Sequence, residues 1–262
     1  MYEIQTYLGA DGLMHCTVCK EPVEAFYPKG SLLEMKKHHR QCACERQAYA
    51  EEAQYFKEKE RRELVVRNKK ICFEEKEMEG FTFQNVDRDS SAIRIAEEYV
   101  ANWQKMKQNH MGYLFWGPVG TGKSYLAACI ANALLEKEVT VKMTNFNTIL
   151  NDLFAAEDKT EYIRLLNGYE LLIIDDLGVE RNSEYALENI FSVIDWRYRS
   201  GKPLIITTNI PLVQLKQETK IEKKRIYDRI LERCVPVKID GVSRREAMAN
   251  DNMQTMKNIL KI

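Results

Sequence analysis

From about Phe81 onward the chain alternates short apolar runs with stretches of helical periodicity, the arrangement that βαβ units and a parallel sheet produce. Five runs read as strands: Tyr113 to Trp116, Val139 to Thr144, Leu171 to Asp175, Leu204 to Thr208 and Val235 to Ile239. Each is short and apolar throughout, as strands covered on both faces tend to be. Between the third and fourth runs, Leu187, Ile190, Phe191, Ile194 and Tyr198 recur at helical spacing. Ser183 reads as the N-cap of that helix and Gly201 as its stop. Upstream the pattern changes: Glu45 to Lys70 is dominated by charges, with a thin apolar stripe at Tyr49, Ala53 and Phe56, which predicts an exposed helix. Residues 1–44 are too short for a core of their own.

On this reading the chain has three parts: a cysteine-rich N-terminal domain at 1–44, a charged helical linker at 45–80 and an α/β domain at 81–262. With 262 residues, 45% of them apolar, it can bury a substantial core. No apolar stretch approaches the ~18 residues of a membrane span. The opening "MYEIQTYLGADGLMHC" lacks the layout of a signal peptide, so a cytoplasmic location with reduced cysteines is expected. Lys+Arg and Asp+Glu are equal at 39 each, yet Arg197 to Ile262 carries 15 basic against 7 acidic residues, a net +8 balanced by −8 elsewhere. Such a basic end suits a phosphate-bearing partner.

"GPVGTGKS", comprising Gly117, Pro118, Val119, Gly120, Thr121, Gly122, Lys123 and Ser124, fits the phosphate-loop pattern G-x-x-x-x-G-K-[ST]. A strand-like run precedes it and a helix former follows, so its backbone N–H groups point into the loop at a helix N-terminus. Lys123 is expected to neutralise the β- and γ-phosphates of ATP, and the Ser124 hydroxyl to ligate Mg²⁺. "LLIIDDLG" ends an apolar strand in acids, giving Asp175 a Mg²⁺ role through water and Asp176 either a water-orienting role or that of a turn former. Asn209, after "IITT", is a candidate to hold the attacking water or to sense the γ-phosphate, with a turn or cap asparagine as the alternative. Arg225, Arg229, Arg233, Arg244 and Arg245 are candidates for an arginine presented to the γ-phosphate, among which pattern alone does not choose.

Cys16 and Cys19 form a C-x-x-C pair, and Cys42 and Cys44 follow after 22 residues. Four thiols in a segment without a core favour structural Zn²⁺ over reduced, metal-free cysteines. Because residues two apart on a strand face opposite sides, Cys44 shares the ion only across a tight turn; otherwise His38 or His39 supplies the fourth ligand. His15 is not assigned as a ligand. Cys72, Cys129 and Cys234 sit in apolar settings as buried small hydrophobes, and "GFTF", Gly80 to Phe83, is placed either beside the adenine or in the core.

Taken in order, "GPVGTGKS", "IIDDLG", "IITTN" and "YDRIL…SRRE" resemble the AAA+ ATPases of the DnaC and DnaI helicase-loader group and the related IstB transposition ATPases. The resemblance covers roughly Phe81 to Arg245 and extends to the subtype carried by phages and mobile elements. It implies an AAA+ P-loop fold with a parallel five-stranded sheet. It also implies Walker A contacts at Lys123 and Ser124, a Walker B pair at Asp175 and Asp176, and sensor 1 at Asn209. Arg229 would be an arginine finger reaching a neighbouring subunit, and Arg244 a sensor 2 residue. AAA+ proteins usually carry Glu where this chain has Asp176, and loaders of the DnaI kind share "DDLG", so slow, switch-like turnover is expected. The implied partners are a DnaB-type hexameric replicative helicase, bound through a zinc-bearing N-terminal domain, single-stranded DNA, and further copies of the chain in an open ring or spiral. An IstB-like ATPase that binds DNA and directs a transposase is the alternative.

Overall fold

The computed structural model describes residues 5–33, 36–85, 91–178, 183–241, 243, 252–257 and 259–260. They divide into two compact units, Met1–Leu64 and Val65–Ile262.

The first unit contains two small antiparallel ladders: β1 (Thr6–Leu8) with β2 (Met14–Cys16), and β3 (Glu24–Phe26) with β4 (Lys37–His39). Among the described residues its buried apolar cluster is Cys16, Val23 and Cys42, with Met14, Cys19 and Cys44 against them. Helix α1 (Ala43–Cys72) starts where Glu45 reaches back to accept the Cys42 N–H at 3.1 Å, an acidic first-turn residue satisfying an N-terminal donor. Through residue 64 its side chains are largely solvent-facing, Tyr49 and Phe56 included. Gln47–Glu51, Gln54–Glu58 and Glu58–Arg62 contacts at i,i+4 support it locally.

The second unit is a doubly covered parallel sheet. Its strands are β5 (Gly112–Trp116), β6 (Val141–Asn145), β7 (Leu171–Leu177), β8 (Leu204–Thr208) and β9 (Cys234–Lys238), in the order β6-β7-β8-β5-β9. Alternate strand residues feed two cores. Phe115, Leu171, Ile173 and Ile205 face α2 (Ser91–Ala101) and α4 (Lys123–Leu135); Leu114, Leu172, Ile174, Leu204 and Ile206 pack with α5 (Phe146–Ala155), α6 (Lys159–Gly168), α7 (Glu184–Ser200) and α9 (Ile221–Arg233). Short helices α3 (Trp103–Gln108) and α8 (Leu212–Lys216) complete the shell. Burial on both faces explains why these strands read as continuous apolar runs. No described helix is long and apolar enough to cross a membrane.

Ser183 caps α7 by accepting from the Ala186 N–H at 3.2 Å, and Gly201 ends it at φ 66, as the sequence predicts. Several strand boundaries differ from these expectations, most by one residue, and two of the shifts have visible reasons. Val139 lies before β6 because its N–H closes on Leu134 O at 3.1 Å, fastening the end of α4 around Glu138 at φ 62. At the other end, β7 runs on past Asp175 to Leu177 through a register irregularity, so the two acids sit within the strand's span rather than after it.

Candidate functional site

The sheet order sets the geometry of the site. β8 lies between β5, which feeds the glycine-rich loop, and β7, which carries the acids, so Asn209 emerges between Lys123 and the Asp175–Asp176 pair. Gly117 must be glycine: its φ is 148, and a Cβ there would stand 2.3 Å from Ile239 O. Gly120 and Gly122 also take positive φ, 82 and 91, curling the loop onto the N-terminus of α4. Thr121 Oγ1 donates to Pro118 O at 3.0 Å, tightening the same turn.

Lys123 is 5% exposed, and its ammonium donates to Gly117 O at 3.0 Å, Pro118 O at 2.7 Å and Asn209 Oδ1 at 2.6 Å. One cation therefore joins the loop to the end of β8. A buried ammonium needs such oxygens, because the low-dielectric surroundings otherwise disfavour its charge.

Two threonines of "IITTN" hold the irregular end of β7, a role that sequence reasoning missed. Thr207 Oγ1 donates to Asp175 Oδ1 at 2.5 Å and accepts the Asp176 N–H at 2.9 Å, while Thr208 Oγ1 donates to Leu177 O at 2.7 Å. Asp176 thereby sits at φ 55, in the left-handed region, a conformation paid for by its neighbours. Burial pushes the Asp175 carboxyl above its ordinary value, Asp176 adds to the rise, and hydrogen bonds from Thr207 and Ser124 and the charge of Lys123 oppose it. The only available signal was the pair of hydroxyls closing an apolar strand.

A cleft of about 330 Å³ opens over the loop, lined by Val119, Gly120, Gly122, Lys123, Ser124, Asp176 and Asn209 together with Glu75, Glu77, Met78, Phe81 and Tyr125. Phe81 stacks on Tyr125 with centroids 4.5 Å apart, and Asn132 Nδ2 donates to Met78 O and Phe81 O at 2.8 and 3.0 Å. "GFTF" thus brings the Phe81 ring to the cleft, while Phe81 and Phe83 also pack against the hydrophobic core.

The arginines fare differently. Arg229 does not line this cleft; its Nε donates to Asp195 Oδ1 at 2.7 Å, on the α7–α9 face. Arg225 is exposed and Arg233 half-buried on the same helix. Arg244 and Arg245 lie outside the described residues.

In the first unit, Cys16, Cys19, Cys42 and Cys44 bring their Sγ atoms within 4.8 Å of one another. Thiolates around zinc at ~2.3 Å would stand about 3.8 Å apart, so the four fit one tetrahedral ion. Cys42 and Cys44 straddle the start of α1, and this helical turn resolves the alternation that a strand would impose. Backbone N–H groups of Glu21 and Cys44 aim at Cys19 and draw its thiol down to about 6. His38 and His39 are outside the cluster: His38 Nδ1 lies 2.9 Å from His39 O, and His39 Nε2 is 3.3 Å from Glu45. His15 is engaged by Asp11 at 2.9 Å and Lys20 O at 2.9 Å. Cys72, Cys129 and Cys234 are fully buried in the other unit.

The family pattern described as IstB-like ATP binding protein matches residues 46–251. The replicative helicase loader DnaI of Bacillus subtilis (strain 168) is 24% identical over 192 residues, covering 67% of this chain and 62% of that protein. The replicative helicase loader DnaC of Escherichia coli (strain K12) is 28% identical over 145 residues, 53% of this chain and 57% of that protein. The chain thus spans less than two thirds of the length of either curated relative. A crystal structure of DnaI aligns at TM-score 0.58 and 26% identity, covering 68% of this chain and 99% of the other.

Proposed function

The chain belongs to the IstB-like ATP-binding family and is an ATPase of the AAA+ class, and from that premise we propose that it is a helicase loader of the DnaC and DnaI kind. It binds a DnaB-type hexameric replicative helicase through its cysteine-rich front end and helps place it on single-stranded DNA in the cytoplasm, with ATP as the switch. The observation that carries this reading is the four-thiol unit ahead of an intact nucleotide cleft, in a chain similar to two replicative helicase loaders.

In this reading the loop amides and Lys123 hold the β- and γ-phosphates, and Ser124 and Asp175 hold Mg²⁺, the latter through water. When bound, the metal neutralises charge between those phosphates. Asp176, fixed by Thr207, orients the attacking water, and Asn209 reports the γ-phosphate to β8 through its contact with Lys123. Arg229 reaches the ATP of a neighbouring copy in an open ring or spiral, and Arg244 contacts the nucleotide of its own subunit. Zn²⁺ is held by Cys16, Cys19, Cys42 and Cys44. The short side chain of Asp176 suits slow turnover gated by assembly.

Single-turnover ATP hydrolysis measured with and without single-stranded DNA tests the switch, for which DNA-dependent acceleration is expected; fast DNA-independent turnover counts against it. Co-purification settles the partner. Recovery of a hexameric helicase supports the loader, whereas recovery of a transposase supports an IstB-like ATPase that binds DNA and directs that enzyme.

A further inference from the structure

Arg229 sits in a built cluster that the nucleotide cleft of its own chain does not use. Its Nε donates to Asp195 Oδ1 at 2.7 Å, its Nη1 donates to Arg225 O at 3.2 Å, and its guanidinium lies 4.6 Å over the Phe191 ring. Arg225 lies over the same ring at 4.6 Å. Asp195, whose side chain is 12% exposed, gives its second oxygen to Arg199 Nε at 2.8 Å. Among the described residues Nη2 of Arg229 takes no hydrogen bond, and the side chain is a quarter exposed.

A guanidinium held at Nε and stacked on an aromatic face has lost most of its rotational freedom, so less is lost again when a phosphate is bound. The carboxylate also sits between two guanidinium groups, leaving the cluster net positive with Arg225 beside it. Held at Nε and Nη1 in this way, the guanidinium has Nη2 left for an anion.

We propose that Asp195 is the positioning residue for Arg229, gripping its Nε over Phe191 so that Nη2 is presented to a phosphate bound by a second copy of this chain. The proposal rests on the reading of Arg229 as a finger acting between subunits. Asp195 touches neither nucleotide nor metal; it acts through the arginine.

The test follows ATP turnover per subunit against protein concentration, in full-length protein with an oligothymidylate present. Asp195→Ala is expected to lower kcat in the concentrated, assembled regime about 10- to 100-fold while KM for ATP stays within about twofold, the signature of a misplaced group rather than lost binding. Asp195→Asn keeps an oxygen acceptor for Nε and is expected to recover turnover to within about threefold of wild type. Arg199→Ala, which removes only the other arm of the carboxylate, is expected to match wild type. Unchanged or faster turnover in Asp195→Ala overturns the proposal, as does an equal loss in Asp195→Asn and Arg199→Ala. Arg229→Ala separates the two levels: if it keeps full assembly-dependent hydrolysis the finger reading itself fails, whereas loss in Arg229→Ala without loss in Asp195→Ala removes only the positioning role.

Discussion

The two units of this chain hold their shape by different means. Val65–Ile262 buries hydrocarbon on both faces of a five-stranded sheet, and its cleft is an extension of that frame. Among the described residues the first unit buries a cluster of three, two of them thiols. The contrast shows where each kind of site gets its precision. The phosphate loop is fixed by glycine backbone and by a lysine tied to three oxygens, all anchored to buried strands. Among the described residues the cysteine site has little buried hydrocarbon around it, so a metal ion bound there would also serve as its core.

The largest effect follows from that difference. Protein purified without chelator is expected to carry near one equivalent of zinc, and removing it, or substituting Cys19→Ser, should unfold the region ahead of α1. Structural zinc supplies ~10–16 kcal/mol in apparent binding free energy, more than a segment of this size has in reserve. Amide hydrogen exchange is the measurement: protection at residues 14–25 should vanish while that of β5 to β8 stays. Equal protection with and without metal would show that the first unit has a core of its own.

The converse break is Gly117→Ala, aimed at the sheet unit alone. A Cβ would meet Ile239 O at 2.3 Å, and φ 148 is a region that L-residues avoid. A cost of about 3 kcal/mol is expected, and a domain of this size loses roughly 2–4 °C of Tm per kcal/mol. ATP binding should fall with it, while zinc content is unchanged. A variant with wild-type Tm would mean that the loop does not lie against Ile239, just past β9, as closely as described.

What the sequence made legible follows the same division. The strands announced themselves because doubly buried strands are apolar at every position, and the phosphate loop because only glycines and a lysine at fixed spacing make it. The four cysteines were legible as a set, yet the choice between Cys44 and a histidine was not, since it turned on where α1 begins. The overrun of β7 was hidden because nothing local to "DDLG" shows that Thr207, 31 and 32 residues on, holds both acids. Asp195 was invisible for the same reason: an acid within a helix looks like solvated charge until α9 brings Arg229 to it.

A smaller effect tests that hidden support. Thr207→Val keeps shape but leaves the Asp176 N–H without its acceptor and Asp175 with one donor fewer, at a cost of ~1–3 kcal/mol. Hydrolysis should drop by at least about tenfold, as for a displaced catalytic group, with ATP affinity changed only a few-fold. Loss of both in equal measure would instead assign Thr207 to nucleotide binding, and normal hydrolysis would remove it from the site.

The smallest effect has the opposite sign, because the sheet unit is stable despite its cleft rather than through it. Burial holds the Asp175 carboxyl above its ordinary value of 3.8, so ionising it is harder in the folded chain than in the unfolded one. Below pH 3.8 the group is protonated in both states and contributes equally to each. As pH rises from there through the raised folded value, the unfolded chain releases its proton first and the native state loses stability, by about 1.4 kcal/mol per pH unit of displacement. Asp175→Asn keeps an acceptor for the Thr207 hydroxyl without the charge. In the absence of nucleotide and magnesium it should therefore unfold at higher temperature than wild type at pH 7, and the two should converge toward pH 3.8. The same variant is expected to lose hydrolysis, so greater stability and lost activity come from one atom change. A wild type that is the more stable protein at pH 7 would show that Lys123 and Thr207 offset the burial of Asp175 in full.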